Sequence, residues 1–243
     1  LSIITAVHNG IAMNRIFFSY LKKNTIMPFE LIVIDNNSSD GSAEFFESKG
    51  VKVIRNKANY SYPVCQNQGI REASHDLLVF MNNDIIVSPN WDVRLLETAN
   101  LHGLDVITPV SIENMEKPEV TKAMKRKWLR VHNPMSLLGY SRPVLLLMFR
   151  FMYGNWEKYS QKRFIEFGNT IQKGFLGHTI MMRRDVITKI GLWDEQIQGA
   201  DFDLNMRVQQ RFMEFGDIKP VHKALGVILH HYIRLTIKST REP

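Results

Sequence analysis

The clearest indication of the fold is the stretch Leu77-Leu78-Val79-Phe80-Met81-Asn82-Asn83-Asp84. Here five apolar residues run directly into a polar cluster that ends in a carboxylate. An apolar run of this length predicts a central strand of a parallel sheet, buried on both faces. The polar cluster would then lie at the carboxyl edge of the sheet, where open α/β folds bind their ligands. A carboxylate beside amides suits a divalent cation that substrate phosphates also hold. A simple turn is the alternative, since Asn and Asp are common after strands.

The first hundred residues alternate strand-like and helix-like segments. This alternation predicts an α/β fold with a mostly parallel, doubly wound sheet and helices on both faces. The expected strands are Leu1–Val7, Phe29–Asp35, Val51–Arg55, Leu77–Met81 and Leu104–Thr108, and the expected helices are Ile11–Lys23, Ser42–Ser48, Val64–Ala73 and Ser88–Ala99. The sequence lacks a Gly-x-Gly-x-x-Gly after the first strand and a Walker-type Gly-Lys-Ser/Thr, which argues against the usual dinucleotide-binding and P-loop proteins.

Residues 111–173 break this alternation and are rich in bases and aromatic rings. The whole chain of 243 residues has a net charge of +7, whereas between Lys117 and Arg163 eleven bases face only two acids. Such an excess implies an anionic partner, which could be nucleic acid, a membrane surface or a phosphorylated substrate. A solvated lid over the sheet is the other interpretation. Regular elements return afterwards. Strands are expected at Phe175–Met182 and Ala224–Leu229, and helices at Arg184–Ile190 and Asp201–Phe215.

The single cysteine, Cys65, excludes an intrachain disulfide and fits a reducing compartment. We therefore expect a cytoplasmic protein, peripheral at the inner face of a membrane through residues 117–163.

The chain begins at Leu1 inside a strand-like run, so we expect a trimmed or internal piece. Nucleic acid is not an expected partner, because no recognised nucleic-acid module is present.

A second strand also ends in a carboxylate, at Val33-Ile34-Asp35. A carboxylate there can accept hydrogen bonds from a nucleobase imide or from ribose. The alternative is a helix-capping loop, which explains Ser38–Ser42 well. It explains Asp35 less well, because a charge that ends a buried strand is costly unless it is paired.

Further motifs follow one another along the chain in a fixed order. They are Thr5-Ala6-Val7-His8-Asn9, Val33–Ser42, Asn59–Ile70, Phe80–Asp84, Gly177–Arg184, Gly191–Glu195 and Gly199–Arg207. In this order and spacing they resemble family 2 glycosyltransferases of the GT-A fold, and the similarity covers residues 1–110 and 174–236. The resemblance implies one continuous domain with a nucleotide-sugar-binding half at 1–110, a basic insert or lid at 111–173 and an acceptor-binding, catalytic half at 174–243.

The resemblance implies inverting, metal-assisted transfer of a sugar from a nucleoside-diphosphate sugar to a hydroxyl of a glycan or lipid-linked glycan. Asp201 matches the general base. Asp84 with His231 or His230 would hold Mn²⁺ or Mg²⁺, and Thr236 five residues later favours His231. The implied nucleotide contacts are Thr5, Ala6, Val7, Asn9, Asp35, Asn67, Asn82 and Asn83, and the implied sugar contacts are Gly177, Trp193 and Ala200.

Two departures from the family pattern keep alternatives open. Asn82 stands where the first carboxylate of a DXD motif is found, and Ala200 stands where Glu precedes the base. One alternative is therefore a catalytically weak or inactive subunit that binds a nucleotide sugar. The other is a basic module that binds membranes or polyanions.

Overall fold

An eight-stranded mixed sheet forms the centre of the computed structural model, which describes residues 1–197, 199–233 and 235. The strand order is β3-β2-β1-β4-β8-β6-β9-β7, and a separate two-stranded sheet pairs β5 with β10. The strands are β1 (Ser2–Val7), β2 (Glu30–Asp35), β3 (Lys52–Arg55), β4 (Leu77–Met81), β5 (Ile85–Ile86), β6 (Val106–Val110), β7 (Ile171–Lys173), β8 (Thr179–Arg183), β9 (His222–Ile228) and β10 (His230–His231).

Helices cover the sheet on both faces, and each face has its own apolar cluster. The helices are α1 (Ile11–Asn24), α2 (Ser42–Glu47), α3 (Tyr62–Glu72), α4 (Trp91–His102), α5 (Pro118–Met135), α6 (Arg142–Tyr153), α7 (Trp156–Phe167), α8 (Arg184–Ile190) and α9 (Ala200–Phe215), with a short 3₁₀ turn at Ser136–Leu138. None of the helices in this described part of the chain is both long enough and apolar enough to cross a bilayer.

The expected α/β fold is confirmed, and the run Leu77–Met81 is the central strand β4. Strands β1, β2 and β3 pair in parallel, as does β1 with β4, whereas β8 runs antiparallel between β4 and β6. The expected strand Leu104–Thr108 corresponds to β6, which begins two residues later, at Val106. Gly103 ends α4 at φ 60°, and the Leu104 amide donates back to Ala99 O at 2.8 Å, so Leu104 belongs to the helix cap.

The basic insert is helical rather than irregular. Pro118 and Pro143 stand in the first turns of α5 and α6, where a missing N–H costs nothing. The inner sides of the three insert helices carry Trp128, Phe149 and Trp156, which are nearly fully buried on the sheet. At its end the insert contributes β7, which pairs antiparallel with β9. Burial of this apolar side leaves most of the bases on the outside, whereas Arg163 is buried and pairs with Glu116.

Gly226 in β9 predicts one stability effect, because the backbone of the α7 end lies against it. A Cβ at Gly226 would stand 2.1 Å from the carbonyl oxygen of Gly168. We expect Gly226→Ala to lower the free energy of unfolding by about 1–3 kcal/mol in urea titrations. Gly199→Ala is the control, since nothing lies within 4 Å of that Cβ position. Equal stability of the two variants would contradict this packing.

Candidate functional site

Asp84 lies at the junction of three chain segments beyond the carboxyl end of β4. The Asn82 amide donates to His178 O at 2.9 Å, and the Tyr232 amide donates to Asp84 O at 3.0 Å. Strand β10 pairs with β5 so that His231 is opposite Ile85. These backbone contacts bring Asp84 Oδ1 within 3.2 Å of His231 Nε2, with both side chains largely buried.

Two further side chains complete this group. Nδ1 of His231 lies 2.5 Å from Glu113 Oε2, so the ring bridges two carboxylates. The ring of His178 is centred 5.0 Å from that of His231. One ligand atom each from Glu113, His178 and His231 lies within 4.8 Å of the other two. We call Asp84, Glu113, His178 and His231 the His–carboxylate group.

The pKa values of the two histidines in the His–carboxylate group are shifted in opposite directions. Burial disfavours the charged ring of His231, but Asp84 and Glu113 outweigh burial and raise its pKa to about 10. Burial lowers the pKa of His178 to about 3, so that ring is neutral at pH 7. The Thr179 hydroxyl donates to the carbonyl of His178 and lies 3.1 Å from Nδ1 of the same ring. Nδ1 therefore donates to that hydroxyl, and Nε2 carries the lone pair.

This donor set fits a divalent cation. Nε2 of His178 is buried and has no hydrogen-bond partner among the described residues, and the same holds for Asp84 Oδ1 apart from its ion contact with His231. Imidazole nitrogens and carboxylate oxygens are ligands that manganese-like ions accept. The charged His231 ring has one N–H facing each carboxylate, and a bound cation would take the place of one of these two protons.

The two histidines that the sequence left as alternatives have different surroundings. Neighbouring strand residues face opposite ways, so His230 points away from Asp84. Its ring packs against Trp128 and Phe149, and Nδ1 lies 3.0 Å from the Tyr153 hydroxyl. The structure therefore places His231 with the carboxylates and His230 in the aromatic core. Thr236 lies outside the described residues.

The end of β2 presents a second carboxylate at the same edge of the sheet. Asp35 is 3% exposed, and its Oδ2 accepts from the Ser38 amide at 3.2 Å. Oδ1 of Asp35 is buried and has no hydrogen-bond partner among the described residues. A hydrogen-bond donor from a ligand would satisfy that oxygen.

The neighbouring strand β1 supplies Thr5, Ala6 and Val7. Thr5 is fully buried, and its hydroxyl likewise lacks a hydrogen-bond partner in the described part of the chain. Ala6 is partly exposed. Val7 O accepts from the Asn36 amide at 2.7 Å, which fixes the loop after β2 against the end of β1.

Three of the asparagines expected to contact nucleotide hold the protein's own loops. Asn9 adopts φ 57° and accepts from the Ser39 amide at 2.8 Å through Oδ1. The side-chain amide of Asn83 donates to Asn14 Oδ1 at 2.7 Å. Asn67 donates to Trp193 O at 2.9 Å and to Glu195 Oε1 at 2.8 Å, while its Oδ1 accepts from the Trp193 amide.

Trp193 is 2% exposed and packs edge-on against Tyr62 and Phe80. The ring therefore belongs to the apolar cluster that also contains Phe80 and Leu204. Its Nε1 is buried without a hydrogen-bond partner among the described residues.

Asp201 stands in the first turn of α9, directly after the buried Ala200. A Cβ built at Gly177 would lie 2.1 Å from Asp201 Oδ2, so the carboxylate rests against that glycine. Oδ1 of Asp201 is buried and unpartnered within the described residues. The helix terminus predicts an ionised side chain, but burial dominates and raises the pKa of Asp201 to about 7. Asp203 pairs with Arg207 at 2.8 Å, as the i,i+4 spacing predicts.

Sequence reasoning missed Glu113 and His178. Glu113 follows β6 by three residues, so the rule that singled out Asp84 applies to it as well. It was missed because it falls in the segment interpreted as an insert. His178 precedes an antiparallel strand, a position that no strand-end rule marks.

Comparisons with known proteins agree with this architecture. Residues 2–191 match the sequence profile of the family described as glycosyl transferase family 2. The O-antigen biosynthesis protein RfbC of Myxococcus xanthus is 25% identical over 226 residues, which cover 88% of this chain and 16% of RfbC.

Solved structures of S. aureus TarS share the fold. TarS 1–349 in complex with UDP superposes with a TM-score of 0.57 at 14% identity, over 91% of this chain and 56% of that one. A longer TarS chain gives 0.61 at 13% identity, over 98% of this chain and 38% of that one. The chain thus spans only part of the relatives it matches. With its profile match and its GT-A-like sheet, the chain belongs to glycosyltransferase family 2.

Proposed function

We propose that the protein is an inverting, metal-assisted glycosyltransferase that moves a sugar from a nucleoside-diphosphate sugar to a hydroxyl of a glycan or lipid-linked glycan. One observation carries the proposal. Among the described residues, the buried side-chain atoms without hydrogen-bond partners include Asp35 Oδ1, His178 Nε2 and Asp201 Oδ1, one from each of three motifs that the sequence analysis singled out. Buried polar groups in proteins are nearly always hydrogen-bonded, so unpaired ones in such motifs point to an absent ligand.

In this proposal the donor nucleotide lies over the ends of β1 and β2. Asp35 Oδ1 accepts from the base imide or from ribose, and the backbone after Val7 borders the nucleotide. The UDP complex of TarS, a protein with the same fold, supports a nucleoside diphosphate as the ligand class. Ligand binding at the carboxyl ends of parallel strands is the rule for such sheets.

The His–carboxylate group would hold Mn²⁺ or Mg²⁺, because Glu113, His178 and His231 offer ligand atoms within 4.8 Å of one another. Asp84 would be a further ligand, since its Oδ1 lies 3.2 Å from His231 Nε2. When bound, the cation supplies charge neutralisation for the departing diphosphate. The carboxylates also orient His231, because each contacts one of its ring nitrogens.

Asp201 serves as the general base in this mechanism. The acceptor oxygen attacks the anomeric carbon, its proton passes to Asp201 Oδ1, and the bond between the sugar and the diphosphate breaks. Attack from the face opposite the leaving group inverts the configuration. A carboxylate with a pKa near 7 is a stronger base than an exposed one, and about half of it is ionised at pH 7.

A catalytically inactive nucleotide-sugar-binding subunit is the alternative within the same fold. Asn82 and Ala200 motivate it, since both replace a carboxylate of the family pattern. Glu113 favours turnover, because it adds a carboxylate to the group beside Asp84.

Replacement of the base tests turnover. We expect Asp201→Asn to lower nucleotide-sugar hydrolysis or transfer with Mn²⁺ by about a hundredfold to ten-thousandfold. Its thermal midpoint should stay the same or rise, because the variant removes a carboxylate whose ionisation burial opposes. Asp185→Asn, an exposed first-turn aspartate of α8, is the matched control. Equal rates for Asp201→Asn and the wild type would remove Asp201 from the base role.

The pH profile gives a second test of the same residue. The base works only when unprotonated, so the wild-type rate should fall about tenfold per pH unit below the pKa of about 7. The residual rate of Asp201→Asn should lack this limb. A wild-type rate that stays flat from pH 8 to pH 5 would contradict the assignment.

Removal of a cation ligand tests the metal site. We expect Asp84→Asn to weaken Mn²⁺ binding by at least about tenfold, since even outer partners of metal ligands change affinity by that factor. The free Mn²⁺ signal in electron paramagnetic resonance measures the affinity. Asp76→Asn, at the opposite end of β4, is the control. Unchanged affinity in Asp84→Asn would exclude it as a ligand.

We also propose a peripheral membrane contact through the insert. The turn between α5 and α6 exposes Leu137 by 87% and Leu138 by 69%, and Arg142 follows at the start of α6. Exposed leucines beside bases suit insertion at an anionic lipid interface.

Vesicle sedimentation tests this contact. We expect the double variant Leu137→Ser, Leu138→Ser to bind phosphatidylglycerol vesicles about tenfold more weakly, because it loses two apolar side chains from the interface. The control is Ile26→Ser with Leu101→Ser, which removes two other exposed apolar side chains. Failure of the wild type to bind at moderate salt would exclude the membrane contact.

A further inference from the structure

A groove of about 610 Å³ lies between α5, β7 and the segment after Glu113. In this groove a buried cation lies beneath a row of exposed ones, and Glu116, the one carboxylate among its lining residues, pairs with Arg163 at 2.7 Å. We call it the lysine groove, and its cations are Lys122, Lys125, Arg126, Lys173 and Lys223.

Lys223 forms the floor of the lysine groove and is only 3% exposed. Its Nζ donates to Asn114 Oδ1 at 2.6 Å and to Met115 O at 3.0 Å, both of which are neutral acceptors. Among the described residues, no carboxylate lies within 4.0 Å of this ammonium, and the nearby Glu116 pairs with Arg163 at 2.7 Å. A buried charge without a counterion is costly, and an anion in the groove would offset that cost.

The wall above Lys223 is one face of α5. Thr121, Lys122, Lys125, Arg126 and Leu129 follow the i, i+1, i+4, i+5, i+8 spacing of a single helical face. The three cations on this face are exposed and lack a carboxylate partner within 4.0 Å in the described part of the chain. They are therefore free to bind an external anion.

The lysine groove begins at the His–carboxylate group. Asn114 and Met115 line it and directly follow Glu113. A molecule lying in the groove would therefore have one end beside the proposed reaction centre.

We propose that the lysine groove binds a phosphate group of the acceptor, so that the sugar-accepting hydroxyl belongs to a phosphate-bearing chain. This proposal rests on the proposed function and specifies its acceptor class. Lysine ammonium groups bind phosphate as point charges, and five cations around one concave site suit a multiply charged anion better than a neutral glycan.

A membrane surface fits the groove less well. The groove is concave, whereas a bilayer requires a flat or convex contact. The exposed Leu137 is eleven residues beyond Arg126, which corresponds to about 17 Å along a helix. The lysine groove and the proposed membrane contact are thus separate features of the insert.

Tripolyphosphate is the probe for the experiment, used with EDTA so that metal binding does not contribute. Isothermal titration calorimetry compares the wild type with the triple variant Lys122→Gln, Lys125→Gln, Arg126→Gln. We expect binding to weaken by about tenfold to about a hundredfold, because each of the three exposed cations contributes a factor of about two to five. The matched control neutralises two exposed lysines and one exposed arginine elsewhere, as Lys22→Gln, Lys49→Gln, Arg71→Gln.

The outcomes separate the possible explanations. Equal weakening in both triple variants would mean general attraction to a basic protein and would overturn the proposal. Weaker binding to phosphatidylglycerol vesicles with unchanged tripolyphosphate binding would assign the groove to a membrane and would also overturn it. Groove-dependent tripolyphosphate binding without any stabilisation of the wild type by nucleoside diphosphates and MnCl₂ would support the groove and count against the proposed function.

Discussion

The antiparallel pairing of β8 with β4 is the constraint on which the site depends. This pairing sets Thr179 opposite Met81 and therefore brings His178 beside Asn82. Strand β8 also pairs with β6, whose end leads to Glu113. One inserted strand thus joins the half of the sheet that ends in Asp35 to the half that carries Asp201. A one-residue slip of β8 would turn its buried side chains to the opposite face and break the His–carboxylate group.

The second constraint is electrostatic, because the site keeps polar atoms buried and unpaired. Each such atom typically costs about 1–3 kcal/mol. At Asp201 the cost appears as a pKa raised to about 7, and at His178 as one lowered to about 3. A ligand that supplied the missing partners would recover this free energy on binding. The core around Trp91, Phe80 and the other large buried side chains supports these strained groups.

The sequence predicted the parallel half of the fold well, because buried strands such as Leu77–Met81 carry a strong apolar pattern. It missed β5 and β10, since two-residue strands have no periodicity to detect. It singled out Asp35, Asp84 and Asp201 as candidates, because their positions follow from strand ends or from a family motif. A strand end also marks Glu113, whereas His178 comes beside His231 only through the pairing of β8 with β4. The different surroundings of His230 and His231 were likewise not predictable from the sequence, because they depend on how the insert helices pack. These helices place His230 in an aromatic core.

Crystals grown with UDP and MnCl₂ and measured near the manganese absorption edge would show whether the His–carboxylate group binds the cation. We expect an anomalous manganese peak bonded to Asp84, His178 and His231, with the nucleotide base hydrogen-bonded to Asp35. A manganese peak away from the His–carboxylate group, or UDP bound only in the lysine groove, would contradict it.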